Sequence, residues 1–348
     1  MEAAFVSASP RDGAIYSLVG GFDFNRNQFN HITQAWRQPG SSIKPFIYSA
    51  ALEKGFTPAT IINDAPLYYS AEQTGSTPWQ PKNYEDKFEG PMRMRKALAK
   101  SINLVSIRIL QAITPQYAQD YLSKFGFDPE KHPPYLTMAL GAGSSTPLQM
   151  ARGYSVFANG GFRIEPYFIK RMEDARHNVL SEAHPQVAGE DAPQVIDVRN
   201  AYTMVTMMQD VIRYGTGAQA LQLGRTDIAG KTGTTSDSVD TWFCGFQPTV
   251  VGIAWLGFDT PRSLGGKETG ARAALPIWMS YMGNILKDVP TAAYVMPDNM
   301  VVARINKSGK RDPNGELLDY FYKENLPREQ AASPAENAQS EKIKAQMY

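Results

Sequence analysis

Two residues near position 40 have the types and spacing of a nucleophile and its base. Ser41 is followed three positions later by Lys44, and Gly40 and Pro45 place both in the first turn of a predicted helix over residues 41–54. Residues three apart share one helix face, so the lysine amine can reach the serine hydroxyl. The helix start would also direct the Ser41 N–H and the positive end of the helix dipole toward an oxyanion.

A second lysine lies in the pattern Lys231-Thr232-Gly233-Thr234, on a predicted strand. Gly233 would let a substrate approach the strand backbone closely. The Lys231 ammonium and the two threonine hydroxyls would bind a carboxylate. Lys231 is also a candidate for the cation that lowers the pKa of Lys44 from its ordinary value of about 10.4, which Lys44 needs to act as a base.

The third pattern is Ser101-Ile102-Asn103, in a region of predicted short helices. The Ser101 hydroxyl can relay a proton, and the Asn103 side-chain amide can both donate to and accept from a peptide. Each pattern alone has an ordinary explanation as a helix cap or an exposed lysine. Their combination is more informative, because Ser-x-x-Lys, Ser-x-Asn and Lys-Thr-Gly each occur only once in the chain.

Strands at both ends of the chain are predicted to position these patterns. Residues 3–9 and 14–19 are typical of a β-hairpin around Pro10-Arg11-Asp12-Gly13. Three further strands are predicted over residues 227–235, 240–247 and 250–258. Strands so far apart most simply join one antiparallel sheet, so we predict an α/β fold with that sheet flanked by helices and an inserted all-helical part at roughly 56–160.

The predicted helices follow capping and periodicity signals. Thr146-Pro147-Leu148-Gln149 is a capping-box start for a helix that ends at Asn159. Other helices are expected within residues 92–125, where one starts at Thr114-Pro115, and over 198–213 and 274–286; 56–91 is predicted as a loop and 301–305 as a strand. We divide the chain into a main domain (1–290), a C-terminal extension (291–325) and a disordered tail (326–348).

Composition excludes several other classes of protein. The 348 residues carry a net charge of +1, so no nucleic-acid surface is expected. The single cysteine, Cys244, cannot form an intrachain disulfide and is predicted to be a small core residue. The four histidines show no metal-ligand spacing, so we predict neither a metal nor a cofactor. The charged start is unlike a signal peptide, and the most apolar uncharged stretch, 273–286, is shorter than the roughly 20 residues of a membrane-spanning helix.

The residues around the three patterns resemble class A penicillin-binding proteins, closest to the 1A type. The resemblance covers roughly residues 4–290 and is carried by Val19-Gly20-Gly21-Phe22-Asp23-Phe24, Arg37-Gln38-Pro39-Gly40-Ser41-Ser42-Ile43-Lys44-Pro45-Phe46, Trp79-Gln80-Pro81-Lys82-Asn83, Thr146-Pro147-Leu148-Gln149-Met150-Ala151-Arg152-Gly153-Tyr154 and Gly230-Lys231-Thr232-Gly233-Thr234. It implies the fold shared by penicillin-binding transpeptidases and serine β-lactamases.

The resemblance also implies a D,D-transpeptidase acting on peptidoglycan stem peptides. Ser41 would be the nucleophile, Lys44 the general base, and Ser101 the group that protonates the leaving amine. Asn103 would hold the donor peptide's amide. The terminal carboxylate would bind Lys231, Thr232 and Thr234, beside Gly233, and the N–H groups of Ser41 and Thr234 would form the oxyanion hole.

The implied partners are donor and acceptor stem peptides and β-lactam antibiotics. Family members also carry an N-terminal membrane helix and a glycosyltransferase domain, which this sequence does not contain. We therefore expect a membrane anchor only in a full-length protein, with this domain on the periplasmic face of the bacterial inner membrane. The oligomeric state is not predicted.

Two alternatives share the predicted nucleophile. A class A β-lactamase would need a glutamate within Glu-x-x-Leu-Asn, which the sequence lacks. A non-catalytic penicillin-binding sensor would keep Ser41 acylation without an acceptor site, and the sequence leaves it open. A phosphate-binding P-loop is excluded, because Gly224 is one residue too far from Gly230-Lys231-Thr232.

Overall fold

The computed structural model describes residues 1–330. Its strands, in chain order, are β1 Glu2–Ala8, β2 Ile15–Val19, β3 Ile61–Asp64, β4 Gly90–Arg93, β5 Arg171–Glu173, β6 Val179–Glu182, β7 Ala229–Thr234, β8 Thr241–Gln247, β9 Val250–Gly257, β10 Met300–Ile305 and β11 Leu317–Tyr322. Five of them form an antiparallel sheet in the order β2-β1-β9-β8-β7. The predicted sheet that joins both ends of the domain is confirmed.

Helices cover this sheet. They are α1 His31–Gln34, α2 Lys44–Glu53, α3 Ala71–Thr74, α4 Met94–Ala99, α5 Asn103–Ile113, α6 Pro115–Lys124, α7 Pro147–Ala158, α8 Val198–Arg213 and α9 Leu275–Ile285. The predicted starts of α6 and α7 are confirmed, since Thr114 caps α6 and Thr146 forms a capping box with Gln149 at α7. Within residues 1–330, no helix is long and apolar enough to cross a membrane.

Both faces of the sheet are buried, and successive side chains alternate between two cores. On β8, Trp242, Cys244 and Phe246 pack into the larger core with α2, α5, α7 and α8. Phe243 points the other way and contacts Trp278 of α9 in the smaller core. Cys244 is fully buried, which confirms its prediction as a core residue.

The helix predicted over residues 41–54 differs at its start. Gly40–Ile43 forms a 3₁₀ turn, and the α-helix begins only at Lys44. The reason is Pro45, which has no N–H and cannot donate to the Ser41 carbonyl four residues back. That carbonyl instead accepts from the Lys44 N–H three residues on, which is the 3₁₀ bond.

The prediction of a loop over residues 56–91 was wrong in part. Strands β3 and β4 pair with each other, with Ile61 opposite Arg93, and α3 is a short helix capped by Ser70. The inserted part therefore carries a small sheet besides its helices. Four-residue strands are too short to show a period of two, and the residues between them separate the partners.

The C-terminal extension folds as another two-stranded sheet, besides β3–β4 and β5–β6. β10, close to its predicted position, pairs with β11, which the sequence did not indicate, so that Met300 lies opposite Tyr322. Of the predicted tail, residues 326–330 run beside Arg311, whose N–H donates to the Arg328 carbonyl at 2.9 Å. The remainder, 331–348, lies outside the described residues.

Candidate active site

Ser41 lies in the 3₁₀ turn that leads into α2, and the end of β7 packs against that turn. Gly40 has φ of +53°, and a Cβ there would lie only 2.7 Å from the Thr234 carbonyl oxygen and 3.2 Å from the Thr234 nitrogen. Only glycine permits this contact. The turn that carries Ser41 is therefore in direct contact with the backbone of Thr234.

Lys44 is the first residue of α2, and its side chain is fully buried. Its Nζ donates to the Ser101 carbonyl oxygen at 2.7 Å, to Asn103 Oδ1 at 2.8 Å and to Ser101 Oγ at 3.3 Å. Burial, followed by repulsion from Lys231, holds the pKa of Lys44 well below its ordinary range. Among the described residues, Nζ makes no hydrogen bond to Ser41 Oγ.

Ser101 stands at the junction of α4 and α5 in a left-handed conformation, with φ of +59°. Two hydrogen bonds enforce this conformation: its N–H donates to Leu98 O at 3.0 Å, and the Ile102 N–H donates to Ala97 O at 2.9 Å. This is a Schellman motif, with serine where glycine is usual. The strained turn directs the Ser101 hydroxyl toward β7, between the Nζ atoms of Lys44 and Lys231, and we call the region between β7 and the α4–α5 junction the cleft.

Lys231 reaches the same hydroxyl from the sheet. Its Nζ donates to Ser101 Oγ at 2.8 Å and to the Thr232 carbonyl oxygen at 3.0 Å. The side chain is fully buried, and burial lowers the pKa of Lys231 to about 7. Ser101 Oγ is thus shared by two lysine amines whose pKa values are both lowered, and a bound anion would stabilise the charge on Lys231.

The rest of the Lys-Thr-Gly-Thr pattern lines the edge of the sheet. The hydroxyls of Thr232 and Thr216 lie 2.6 Å apart, and Thr234 Oγ1 accepts from the Gly270 N–H at 3.0 Å. A Cβ on Gly233 would lie 2.4 Å from Ser42 Oγ. The space at Gly233 is therefore filled by the turn that carries Ser41, whereas the sequence suggested that a substrate would approach there.

Asn103 completes the opposite wall of the cleft. Its Nδ2 donates to the Lys82 carbonyl oxygen at 2.9 Å, while its Oδ1 accepts from Lys44. The structure therefore brings the three patterns together: Ser101 and Asn103 both bind Lys44, and Ser101 also binds Lys231.

Sequence reasoning assigned no role to several residues that support the site. Thr216 contacts Thr232, and Asn83 accepts from the backbone N–H groups of Asn103 and Leu104. Asn83 lies in the Trp79–Asn83 stretch that carried part of the resemblance, which was the available signal. No sequence signal pointed to Thr216, because a threonine that follows a glycine in a loop is common in proteins of every kind.

The sequence matches the family described as penicillin binding protein transpeptidase domain over residues 3–257. A penicillin-binding protein 1A of Neisseria lactamica is 47% identical over 326 residues, which cover 94% of this chain and 39% of that protein. A penicillin-binding protein 1A of Pseudomonas aeruginosa is 42% identical over 375 residues, covering 94% and 46%. The chain thus spans less than half the length of these curated relatives.

Solved structures agree with the sequence match. The crystal structure of penicillin-binding protein 1A from Haemophilus influenzae is 37% identical and superposes with a TM-score of 0.92 over 95% of this chain and 54% of that one. PonA1 from Mycobacterium tuberculosis, solved in complex with penicillin V, is 25% identical, with a TM-score of 0.71 over 90% and 84% of the two chains. With its sheet, its helices and this match over most of its length, the chain belongs to the penicillin-binding protein transpeptidase family.

Proposed function

We propose that this chain is a serine D,D-transpeptidase that cross-links peptidoglycan stem peptides and is inhibited covalently by β-lactams. The observation that carries the proposal is the position of Ser101 Oγ, 3.3 Å from Lys44 Nζ and 2.8 Å from Lys231 Nζ, beside the turn that bears Ser41. A hydroxyl between two amines of lowered pKa can pass protons in either direction. The family match supports the same reaction.

In the first step, Ser41 Oγ attacks the carbonyl carbon of the penultimate D-Ala. Neutral Lys44 takes the hydroxyl proton, for which its Nζ must approach Oγ when the substrate binds, because catalytic hydrogen bonds often shorten only then. The negative charge that develops on the carbonyl oxygen is stabilised by the N–H groups of Ser41 and Thr234.

The peptide C–N bond then breaks. Ser101 gives its hydroxyl proton to the leaving amine and is reprotonated from a lysine ammonium, so that terminal D-Ala departs and Ser41 carries the ester. The amine of a second stem peptide attacks that ester, forms the cross-link and returns a proton to Ser41. A β-lactam follows only the first half, because its leaving amine stays attached and blocks the second amine.

Ligand binding is divided between the two walls of the cleft. The terminal carboxylate would lie against Lys231, Thr232 and Thr234, where its charge favours the protonated form of Lys231. Asn103 would bind the donor peptide's amide. We further propose that the domain acts on the periplasmic face of the bacterial inner membrane as part of a longer anchored protein, where stem peptides are its substrates.

The test is intact-mass measurement after incubation with benzylpenicillin, followed by peptide mapping. The chain should gain one penicilloyl group on the peptide that contains residues 41 and 42. Ser41→Ala should abolish this adduct and leave the thermal midpoint nearly unchanged, because Ser41 is only half-buried. Ser42→Ala is the matched control and should keep the adduct, since the buried Ser42 hydroxyl has no hydrogen-bond partner among the described residues.

Three results would contradict the proposal in different ways. Labelling of Ser41→Ala would overturn the nucleophile. Loss of the adduct within seconds would identify a β-lactamase. Stable acylation with no transfer from a stem-peptide ester to an added amine would identify a penicillin-binding sensor.

A further inference from the structure

The N-terminus of α5 is capped from outside the helix. Its own N-cap residue is Ile102, whose side chain cannot accept a hydrogen bond. Asn83 takes that role from 20 residues earlier: its Oδ1 accepts from the N–H of Asn103 at 3.1 Å and of Leu104 at 3.2 Å. The first turn of α5, which bears Asn103, is therefore held by a side chain of the β3–β4 connection.

Asn83 is itself held on its other side. Its Nδ2 donates to Asp64 Oδ1 at 2.7 Å and to the Lys87 carbonyl oxygen at 2.8 Å. The second carboxylate oxygen of Asp64 accepts from the Glu89 N–H at 2.8 Å. Asp64 is only 1% exposed and Asn83 only 8%, so water cannot replace these partners easily.

The same segment fixes the orientation of the Asn103 amide. The Lys82 carbonyl oxygen can only accept a hydrogen bond, so Asn103 Nδ2 must face that carbonyl and Oδ1 faces Lys44 Nζ. A side-chain amide offers two N–H donors and two lone pairs. Asn103 is left with one N–H and one lone pair for a ligand, the complement of a single peptide group.

We propose that Asn83 and Asp64 are positioning residues that determine how strongly the site prefers ligands with an acylamino group. Asp64 orients Asn83, Asn83 holds the start of α5, and Asn103 then presents its free donor and acceptor at a fixed place in the cleft. This inference rests on the proposed function, in that Ser41 is acylated and Asn103 faces the ligand amide.

The experiment compares two penicillins that differ in this group. Benzylpenicillin carries an acylamino side chain, whereas 6-aminopenicillanic acid has the same bicyclic nucleus with a free amine. The second-order rate of Ser41 acylation is measured for each by mass spectrometry. Asn83→Ala should lower the benzylpenicillin rate by about tenfold, which corresponds to about 1.4 kcal/mol, and should change the 6-aminopenicillanic acid rate much less.

A variant that exchanges the amide and the carboxylate between positions 83 and 64 distinguishes loss of positioning from a general loss of structure. Asn83→Asp alone sets two carboxylates against each other, and Asp64→Asn alone permits a second amide orientation. In the double variant, Asn at 64 can donate to Asp at 83 and still accept from the Glu89 N–H, but the Lys87 carbonyl loses its donor, so the ratio of the two rates should recover only in part. Asp86→Asn is the control: Asp86 lies exposed in the same segment, and the variant should keep the wild-type ratio.

An unchanged ratio of the two acylation rates in Asn83→Ala, whether both rates fall equally or neither falls, would overturn the positioning role. Failure of the wild type to form any adduct would refute the proposed function instead, so the two failures are distinguishable.

Discussion

On one side of the cleft, β7 presents Lys231, Thr232 and Thr234 from a strand whose backbone pairs with β8 along its whole length. On the other side, Ser101 and Asn103 stand where two short helices meet. We call these the sheet wall and the helical wall. Backbone hydrogen bonds hold the sheet wall locally, and side chains from distant segments hold the helical wall.

Those distant segments reach the helical wall at both ends. Asn83 caps α5, and Glu89 accepts at 2.8 Å each from Lys96 of α4 and from Lys100, which caps the end of α4. Arg95, also on α4, is buried and binds Asp319 of β11 and Asp210 of α8. The position of Ser101-Ile102-Asn103 thus depends on contacts between residues more than 200 positions apart in the sequence.

The largest effect is expected when the ion pair between the helical wall and the C-terminal sheet is removed. Asp319→Asn leaves the buried Arg95 guanidinium short of one carboxylate and should lower the free energy of unfolding by about 3 kcal/mol. Acylation of Ser41 should slow as well, since α4 carries Ser101 at its end. Urea unfolding and penicillin labelling measure the two effects.

Glu316→Gln is the matched control for that variant. Glu316 lies in the same C-terminal extension, and within residues 1–330 its one ion pair, with Lys307, spans 4.0 Å between exposed side chains. The change should cost less than about 0.5 kcal/mol. If Asp319→Asn costs no more than Glu316→Gln, the C-terminal sheet does not support the helical wall.

The next effect concerns the sheet wall and depends on pH. The pKa of Lys231 falls to about 7 in the folded protein from 10.5, so between pH 7 and 9 the unfolded chain binds more protons than the folded one. The free energy of unfolding should therefore rise with pH across this window, by about 2 kcal/mol from this residue. Lys231→Met should remove that part of the rise.

The window stays below pH 9 because burial raises the pKa of Cys244 to about 12 from 9.0 and also raises the pKa values of Tyr48 and Tyr121, which reverses the sign at higher pH. Exposed Lys170→Met should keep the wild-type slope in urea unfolding. If the free energy of unfolding changes with pH in the same way in the wild type and in Lys231→Met, burial of Lys231 does not disfavour its charged form.

The smallest effect tests the strained turn of the helical wall. Glycine adopts the left-handed conformation of Ser101 without strain, so Ser101→Gly should be more stable than Ser101→Ala by about 1 kcal/mol. Both variants lose the hydroxyl and should lose penicillin acylation alike. Equal stability of the two would show that the conformation of Ser101 costs nothing.

The two walls also differ in how far the sequence predicts them. Strands β8 and β9, which adjoin the sheet wall, follow from local apolar runs, and Lys-Thr-Gly is distinctive on β7 itself. Ser-x-Asn has almost no information of its own, and its supports at Asn83 and Asp319 act through contacts that no local period records. The start of α2 was missed for a local reason, the absent N–H of Pro45.

The pairing of β1 with β9 has a consequence for synthesis of the chain. Glu2 lies opposite Gly257, so the hairpin of β1 and β2 leaves the ribosome long before its central partner. At about 5–20 residues per second, that interval is roughly 12–50 s. Throughout it, one edge of β1 carries unpaired N–H and C=O groups that another nascent chain could bind. The sheet that joins the two ends of the domain therefore leaves one edge of β1 open until β9 has been synthesised.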